Sequence, residues 1–309
     1  MENGGAARPS DAAAPLISVG IPVRNGAKSL ARAIASVQAQ SLNDVEIVLS
    51  DNASTDDTLA IAERLAASDQ RLRVLRQREN LGAAGNFMQV LEHARGTYFM
   101  FLGHDDWLDP PYLERCLSQF KGPERVSLAA GMALYHRNGS VRREHRPTNL
   151  TSRVPALRVL DYLAKVHDNG VFYGLARRED LLRLSFDAVM GGDWLWVARL
   201  AFLGRVVTLD DVAIHRELGG ATRSHASIVK ALKLPAWQAD HPRTSIALSA
   251  FGDIAWRSPI YAELTRAARY ALATAAVGAL GAHTLRDVAG RVRADLRGRG
   301  NEGGAEPSA

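Results

Sequence analysis

Two neighbouring carboxylates, Asp105 and Asp106, follow an apolar run in "TYFMFLGHDDWLDP", residues 97 to 110. Like charges side by side repel, so the pair is favourable only with something positive beside it: a divalent ion, a lysine or arginine, or water. Hard carboxylate oxygens suit Mg2+ or Mn2+, ions that also neutralise phosphate oxygens. Asp51 stands directly after a second apolar run, "VEIVLS", and Asp193 follows two glycines in "GGDWLWVARLAFLG". Pro22, Arg24 and Asn25 in "PVRNGA", and Asn80, Gly82 and Asn86 in "ENLGAAGN", add amides and tight turns. Each has a plain structural alternative. Asp51 and Asn52 read as a turn, Asp56 and Asp57 as helix-start residues, and Asp193 as an N-cap.

The elements that must position these residues alternate. "LISVGIP", "VEIVLS", "LRVLRQ" and "TYFMFL" read as buried strands. Between them lie segments with helical spacing, with Leu30, Ala33, Ile34 and Val37 in the first, Leu59, Ala62, Leu65 and Ala66 in the second, and Phe87, Val90, Leu91 and Ala94 in the third. Four strand–helix alternations with short connections predict an α/β fold, a mostly parallel central sheet with helices on both faces. Ligands bind such sheets outside the carboxyl ends of the strands. Asp51, Asn80, Asn86, Asp105 and Asp106 all follow predicted strand ends, so they gather at one edge. The second half is less regular. "VSLAAGMALY" reads as a strand, "HRNGSVRREHRPTNLTSR" as an excursion or loop, and "VFYGLARREDLLRL" as a strand running into a helix. "GGDWLWVARLAFLG" reads as a helix with Leu195, Ala198 and Phe202 inward, and "RVVTLDDVAIHR" as one or two strands.

The chain has 309 residues, 47% hydrophobic, with a net charge of +5 and one cysteine, Cys116. That is ample for a sizeable core and excludes an internal disulfide framework. The positive balance favours anionic partners such as nucleotides and phosphates. Residues 1–15 read as a disordered tail, with neither the basic start nor the apolar stretch of a signal peptide. The longest apolar run, residues 271–282, is too short to span a membrane. The expected organisation is a catalytic domain over 16–225, with a nucleotide-binding half (16–120) and an acceptor half (121–225). A helical extension over 226–297 and a disordered tail over 298–309 follow. The first strand is not followed by a G-x-G-x-x-G fingerprint, and phosphate-loop and G-x-S-x-G motifs are missing, which argues against hydride transfer and serine hydrolysis. No zinc spacing or RNA-binding signature is present, so no nucleic-acid partner is expected.

"ISVGIPVRNGAKSLARAIASVQAQSLNDVEIVLSDNASTDDT", "RENLGAAGN" and "GTYFMFLGHDDWLDP", in that order, resemble glycosyltransferase family 2, the inverting nucleotide-sugar transferases of GT-A fold. The likeness is dense over residues 16–120 and thinner to about 225. It implies sugar transfer from a nucleoside-diphosphate donor, with a UDP-linked sugar expected, to a hydroxyl acceptor of a glycan, polysaccharide or glycolipid, with Mn2+ or Mg2+. By that resemblance Asp51 bonds the base, and Pro22, Arg24 and Asn25 line its pocket. Asn80, Gly82 and Asn86 complete the donor side. Asp105 faces ribose and metal, Asp106 is the main metal ligand, and Asp193 is the base that deprotonates the acceptor. His215, Arg223 and His225 are candidate diphosphate contacts from a late loop. The chain departs from the family's pattern at Arg24, where tyrosine is frequent, and at Gly103 and Gly192, where acids are.

The resemblance also implies action in the cytoplasm; the C-terminal helices mix apolar faces with arginines, which suits packing on the domain or on another subunit, or contact with the inner face of an anionic membrane. Two other readings stand beside it: a non-catalytic nucleotide-sugar-binding scaffold, and a sugar-phosphate nucleotidyltransferase, whose glycine-rich basic loop "PVRNGAKSL" matches only faintly. A permanent internal arginine against Asp105 and Asp106 would remove the case for an ion.

Overall fold

The structure, a computed structural model, describes residues 14–137, 139–144, 147–218 and 224–282. Residues 1–13 of the tail expected over 1–15, residues 283–297 of the expected helical extension, the tail expected over 298–309, and Arg223 lie outside the described residues. The first half runs β1 (Ile17–Val23), α1 (Leu30–Gln38), β2 (Val45–Asp51), α2 (Thr58–Ser68), β3 (Leu72–Arg76), α3 (Gly82–Glu92) and β4 (Tyr98–Phe101). β1 pairs in parallel with both β2 and β4, and β2 with β3, so the carboxyl ends of four strands share one edge.

Side-chain alternation along these strands builds two cores. Ile17, Val19 and Ile21 of β1, Ile47 and Leu49 of β2 and Met100 of β4 face α1 on one side. Val48, Phe99 and Phe101 face the other side, with Val90 and Leu91 of α3. Both faces are covered, which is why β1 and β2 read as continuous apolar runs.

The second half turns the sheet mixed. A short β5 (Trp107–Leu108) and α4 (Tyr112–Ser118) lead to the long β6 (Val126–Arg137). β7 (Ser140–Glu144) pairs back on β6, so the arginine-rich excursion contains a strand that its polar composition concealed. α5 (Pro155–Lys165) follows, then a 3-10 turn over Gly170–Tyr173. The expected strand in "VFYGLARREDLLRL" shrinks to β8 (Leu175–Arg177), followed by α6 (Arg178–Leu181). α7 (Gly192–Leu203) and β9 (Arg205–Glu217) complete the sheet. Among the described residues nine strands form one sheet in the order β3-β2-β1-β4-β8-β6-β9-β5, with β7 beside β6.

Two features of this half position polar groups. Along β9 the register jumps: Gly131 pairs with Leu209, but Met132 pairs with Ala213. Residues 210–212 therefore bulge outward, re-aiming the end of the strand. A Cβ on Gly131 would lie 2.4 Å from the Val212 carbonyl oxygen, so only glycine admits that close approach. α7 is buried continuously from Leu195 to Phe202, not along the one stripe expected. It lies between the sheet and the C-terminal helices α8 (His225–Ala231), α9 (Trp237–Asp240), α10 (Pro242–Gly252) and a helix over 266–282. Arg199 of α7 is 2% exposed and reaches Asp253 just past α10, where Nη2 meets Oδ1 at 2.5 Å and Nε meets Oδ2 at 3.1 Å.

Candidate active site

At the carboxyl end of β1 the chain turns through Asn25, a non-glycine residue at positive φ. Asn25 Oδ1 accepts from the Thr55 amide at 2.9 Å, and its own amide donates to Ser54 Oγ at 2.9 Å. The Gly26 amide donates to Thr58 Oγ1 at 2.8 Å. The loops after β1 and β2 are thus clasped together. Asp56 bonds the Thr58 hydroxyl and amide, and those bonds hold its carboxyl below its ordinary range. Asp57 is the N-cap position of α2 but makes no side-chain cap bond.

Asp51 ends β2 and is buried. Its Oδ2 accepts from the Ser54 amide at 3.2 Å, while Oδ1 is buried with no partner. A buried carboxylate oxygen left unpaired is costly unless a donor arrives. Asn86 of α3 is also buried; its amide nitrogen holds the Val23 and Ser50 carbonyls at 3.4 and 3.2 Å, and its Oδ1 has no partner. Asn52, not singled out from sequence beyond its turn role, ties in the third loop. It donates to Asn80 Oδ1 at 3.0 Å and accepts from the Leu81 amide at 2.8 Å. Pro22 is buried within β1, Arg24 and Asn80 are exposed, and Gly82 opens α3. The base-side candidates therefore share one edge, with two unpaired buried oxygens among them.

Asp106 follows β4 and is 1% exposed. Its Oδ2 accepts from Nε of Arg216, near the end of β9, at 3.0 Å. Burial pushes the Asp106 carboxyl up to about 6; Arg216 pulls it back, Asp105 adds to the rise, and Arg32 opposes it. The positive group beside Asp106 is thus Arg216, an internal arginine of the kind set against an ion above; it bonds Oδ2 of Asp106, so the case for an ion has to stand against that bond. A Cβ on Gly103 would lie 2.7 Å from Asp106 Oδ2 and 3.1 Å from Asp105 Oδ1. Both carboxylates therefore fold back over Gly103, into space that an acidic side chain there would fill. Arg32 of α1 clamps this corner, donating to the Asp105 carbonyl at 2.9 Å while its guanidinium lies 3.7 Å above the Trp107 ring.

His215 is a strand residue of β9, stacked on Trp107 at 5.0 Å. Its Nε2 pairs with Asp109 Oδ1 at 2.9 Å and its Nδ1 with His136 Nε2 at 2.9 Å. Both ring nitrogens are engaged, so a phosphate contact there requires one of these bonds to break. The neighbouring Arg216 is the residue that points at the acids. His225 starts α8 and is exposed.

Asp193 does not cap α7. The N-cap is Gly191, in the left-handed region at φ 73°, and it places Asp193 inside the first turn. Asp193 Oδ2 accepts from Asn169 Nδ2 at 3.1 Å. Burial raises its carboxyl above the ordinary range, while Asn169, the backbone amides of Asp193 and Trp194, and Arg216 pull it down. Trp196 is core, tilted against Phe101 at 6.0 Å. Tyr173 closes the geometry. Arg216 lies 4.1 Å from its ring, and burial raises its hydroxyl, with Asp106, Asp105 and Asp193 adding to the rise and Arg216 opposing it. The paired acids of the first half and the single acid of the second converge around Tyr173 and Arg216. Arg216 belongs to the late segment "AIHRELGGATRSH", where the resemblance implies a histidine or arginine against the diphosphate or metal, while Tyr173 has no role in the sequence reading; the β9 bulge and the 3-10 turn bring the two together.

Among the described residues no group of three or more His, Cys, Asp or Glu could hold a metal ion by itself. Asp105 Oδ1 and Asp106 Oδ2 both lie over Gly103, but that Asp106 oxygen is the one Arg216 holds, so an ion there, completed by outside ligands such as phosphate oxygens, requires Arg216 to yield it. No helix among the described residues is long and apolar enough to cross a membrane.

Comparison with known proteins gives the arrangement a family. The chain is 35% identical over 131 residues to chondroitin synthase of Escherichia coli, 42% of this chain and 18% of that one. It is 29% identical over 186 residues to the GalNAc(5)-diNAcBac-PP-undecaprenol beta-1,3-glucosyltransferase of Campylobacter jejuni, 59% of each. It spans less than two thirds of either relative. S. aureus TarS 1-349 in complex with UDP-GlcNAc superposes with a TM-score of 0.58 at 18% identity, covering 83% of this chain and 70% of that one. The mannosyltransferase PcManGT from Pyrobaculum calidifontis, in complex with GDP-Man and Mn2+, superposes at 0.55 and 19% identity, covering 93% and 84%. These likenesses bear out the GT-A fold, its mixed sheet flanked by helices on both sides. The family model "Glycosyl transferase family 2" matches residues 18–184, more than half of the chain, and the chain belongs to that family.

Proposed function

We propose that the protein transfers a sugar, with inversion, from a UDP-linked donor to a hydroxyl acceptor, assisted by Mn2+ or Mg2+. The observation that carries this reading is the convergence of Asp105, Asp106 and Asp193 around Tyr173 and Arg216. It sets the paired acids and a candidate base around one tyrosine and one arginine. The unpaired Asp51 Oδ1 supports the nucleotide end: it accepts the N–H of a uracil ring, with the Arg24 guanidinium free to stack on the base or reach phosphate. Neighbours of this fold are solved with UDP-GlcNAc and with GDP-Man, so the choice of uridine rests on the resemblance and on Asp51.

In this reading Asp193 removes the proton from the acceptor hydroxyl. The acceptor oxygen bonds the anomeric carbon as the bond to the diphosphate oxygen breaks on the opposite face. The electron pair leaves with the diphosphate, and the proton stays on Asp193. An ion held by Asp106 and Asp105, when bound, neutralises charge on the departing diphosphate. Arg216 and Arg32 add fixed positive charge, with the half-buried Tyr173 ring beside Arg216.

The Arg216–Asp106 pair favours a second reading, in which Arg216 supplies all the positive charge and no ion is used. Release of UDP from UDP-sugars, followed with Mn2+ and with chelator, separates them. Metal dependence requires activity to vanish with chelator and return with Mn2+. Activity indifferent to chelator selects the arginine, and no release from any nucleotide sugar selects a binding scaffold. For the acceptor, Leu248, Trp256 and Tyr270 are exposed on the C-terminal helices, and Arg257 lies beside Trp256 at Gly252. Aromatic and arginine side chains of this kind suit the border of an anionic lipid layer, which favours a lipid-linked acceptor.

A further inference from the structure

Asn169 lies outside every motif of the sequence, yet it is the side chain that holds the proposed base. It begins the 3-10 turn Gly170–Tyr173, whose Phe172 amide returns to the Asn169 carbonyl at 3.1 Å. The side chain is 8% exposed. Its Nδ2 donates to Asp193 Oδ2 at 3.1 Å, and its Oδ1 accepts from the Tyr162 hydroxyl at 2.7 Å. Tyr162 is 1% exposed, in the last turns of α5.

The donor and acceptor roles fix the chain of bonds. An ionised carboxylate only accepts, so the amide must present nitrogen to Asp193 and oxygen to Tyr162. Tyr162 must then donate, which it does while its hydroxyl keeps its proton. Burial, with Asp193 and Asp168 nearby, raises the Tyr162 hydroxyl well above its ordinary range, so that proton is retained. The other groups around Asp193 are Arg216 from β9, the amides of Asp193 and Trp194 on α7, and Tyr173 from the turn. Asn169 stands first among the influences that oppose the burial of Asp193.

We propose that Asn169, oriented by the Tyr162 hydroxyl, is a positioning residue that fixes the plane of the Asp193 carboxylate and stabilises its charged form. The inference rests on Asp193 being the base. The same short turn carries Tyr173 to Arg216 and Asp106, so one segment aligns the base with the leaving-group site.

The test reads Asp193 directly, by carboxyl 13C NMR titration of the metal-free protein labelled at aspartate, with Asp193→Asn identifying the resonance. Asn169→Ala raises the Asp193 midpoint by about one pH unit, the size expected when a hydrogen bond to a charged group is lost. Tyr162→Phe raises it by a smaller amount, because Asn169 is kept but can rotate. In UDP release from UDP-GlcNAc with Mn2+, Asn169→Ala moves the acid limb of the pH profile the same way and lowers kcat by about tenfold or more, with donor KM within about twofold. An unmoved midpoint and an unmoved pH profile in Asn169→Ala, with Asp193→Asn inactive, overturn the inference and leave the base assignment standing. Wild-type turnover by Asp193→Asn overturns the base assignment itself. If Asn169→Ala does not fold, Tyr162→Phe decides alone: a raised midpoint supports the relay, and an unchanged one refutes it.

Discussion

Replacing Arg199 with methionine tests how the helix that carries Asp193 is held. Arg199 and Asp253 are both buried, and their bidentate contact is joined by Asp187 at 2.5 Å and the Ser185 carbonyl at 2.5 Å. Methionine fills similar volume but strands Asp253, which is 0% exposed, without its cation. Burial already raises the Asp253 carboxyl, and Arg199 is the strongest influence pulling it back. Breaking such a pair by removing one partner costs about 3–5 kcal/mol, because the remaining charge is uncompensated. Asp187 is 30% exposed and can rehydrate, so it adds little. At about 2–4 °C per kcal/mol for a large domain, the melting temperature falls by roughly 6–20 °C. Adding Asp253→Asn removes the stranded charge and recovers at least half of the loss. Urea unfolding of wild type, both single variants and the double variant measures the coupling. A loss below about 1 kcal/mol in Arg199→Met, or no recovery in the double variant, refutes the claim that this buried pair joins α7 to the C-terminal helices.

Three further outcomes follow from the site. Gly103→Ala drives a Cβ against the Asp105 and Asp106 carboxylates, and overpacking of about 1–3 kcal/mol weakens UDP binding by roughly tenfold in a calorimetric titration. Asp51→Asn removes the charged acceptor for the base, and UDP affinity drops by a factor on the order of ten to a hundred, since hydrogen bonds to charged groups contribute about 1.5–3 kcal/mol; unchanged affinity places the base elsewhere. Asp193 must be ionised to take the acceptor proton, and burial raises its carboxyl, so UDP release declines on acidification at a pH above the ordinary carboxylate range of about 4. An acid limb near 4 contradicts that placement.

The first half was legible because its information is local. Continuous apolar runs in β1, β2 and β4 and helical spacing in α1 to α3 mark the elements, and short connections make the strands parallel, so the polar residues after each strand share an edge. Asp51, Asn86, Asp105 and Asp106 were found that way. The second half is written at long range. Arg216 reaches Asp106 only because residues 210–212 bulge from β9, and Tyr173 and Asn169 arrive on a 3-10 turn whose apolar "VFY" reads equally as a strand. The signal for Arg216 is its place in the late segment "AIHRELGGATRSH", which does not say which of its histidines and arginines reaches the acids. His215 looked like a ligand for the reason that histidines do, yet Asp109 and His136 occupy it.

The central claim is that Asp106 serves an ion shared with a nucleoside diphosphate despite its bond to Arg216. Isothermal titration of UDP into wild type and Asp106→Asn, each with Mn2+ and with chelator, tests it most directly. Binding strengthened at least tenfold by Mn2+ in wild type, and insensitive to Mn2+ in Asp106→Asn, is the predicted result. Equal UDP affinity in all four titrations would contradict the account and leave Arg216 as the cation of the site.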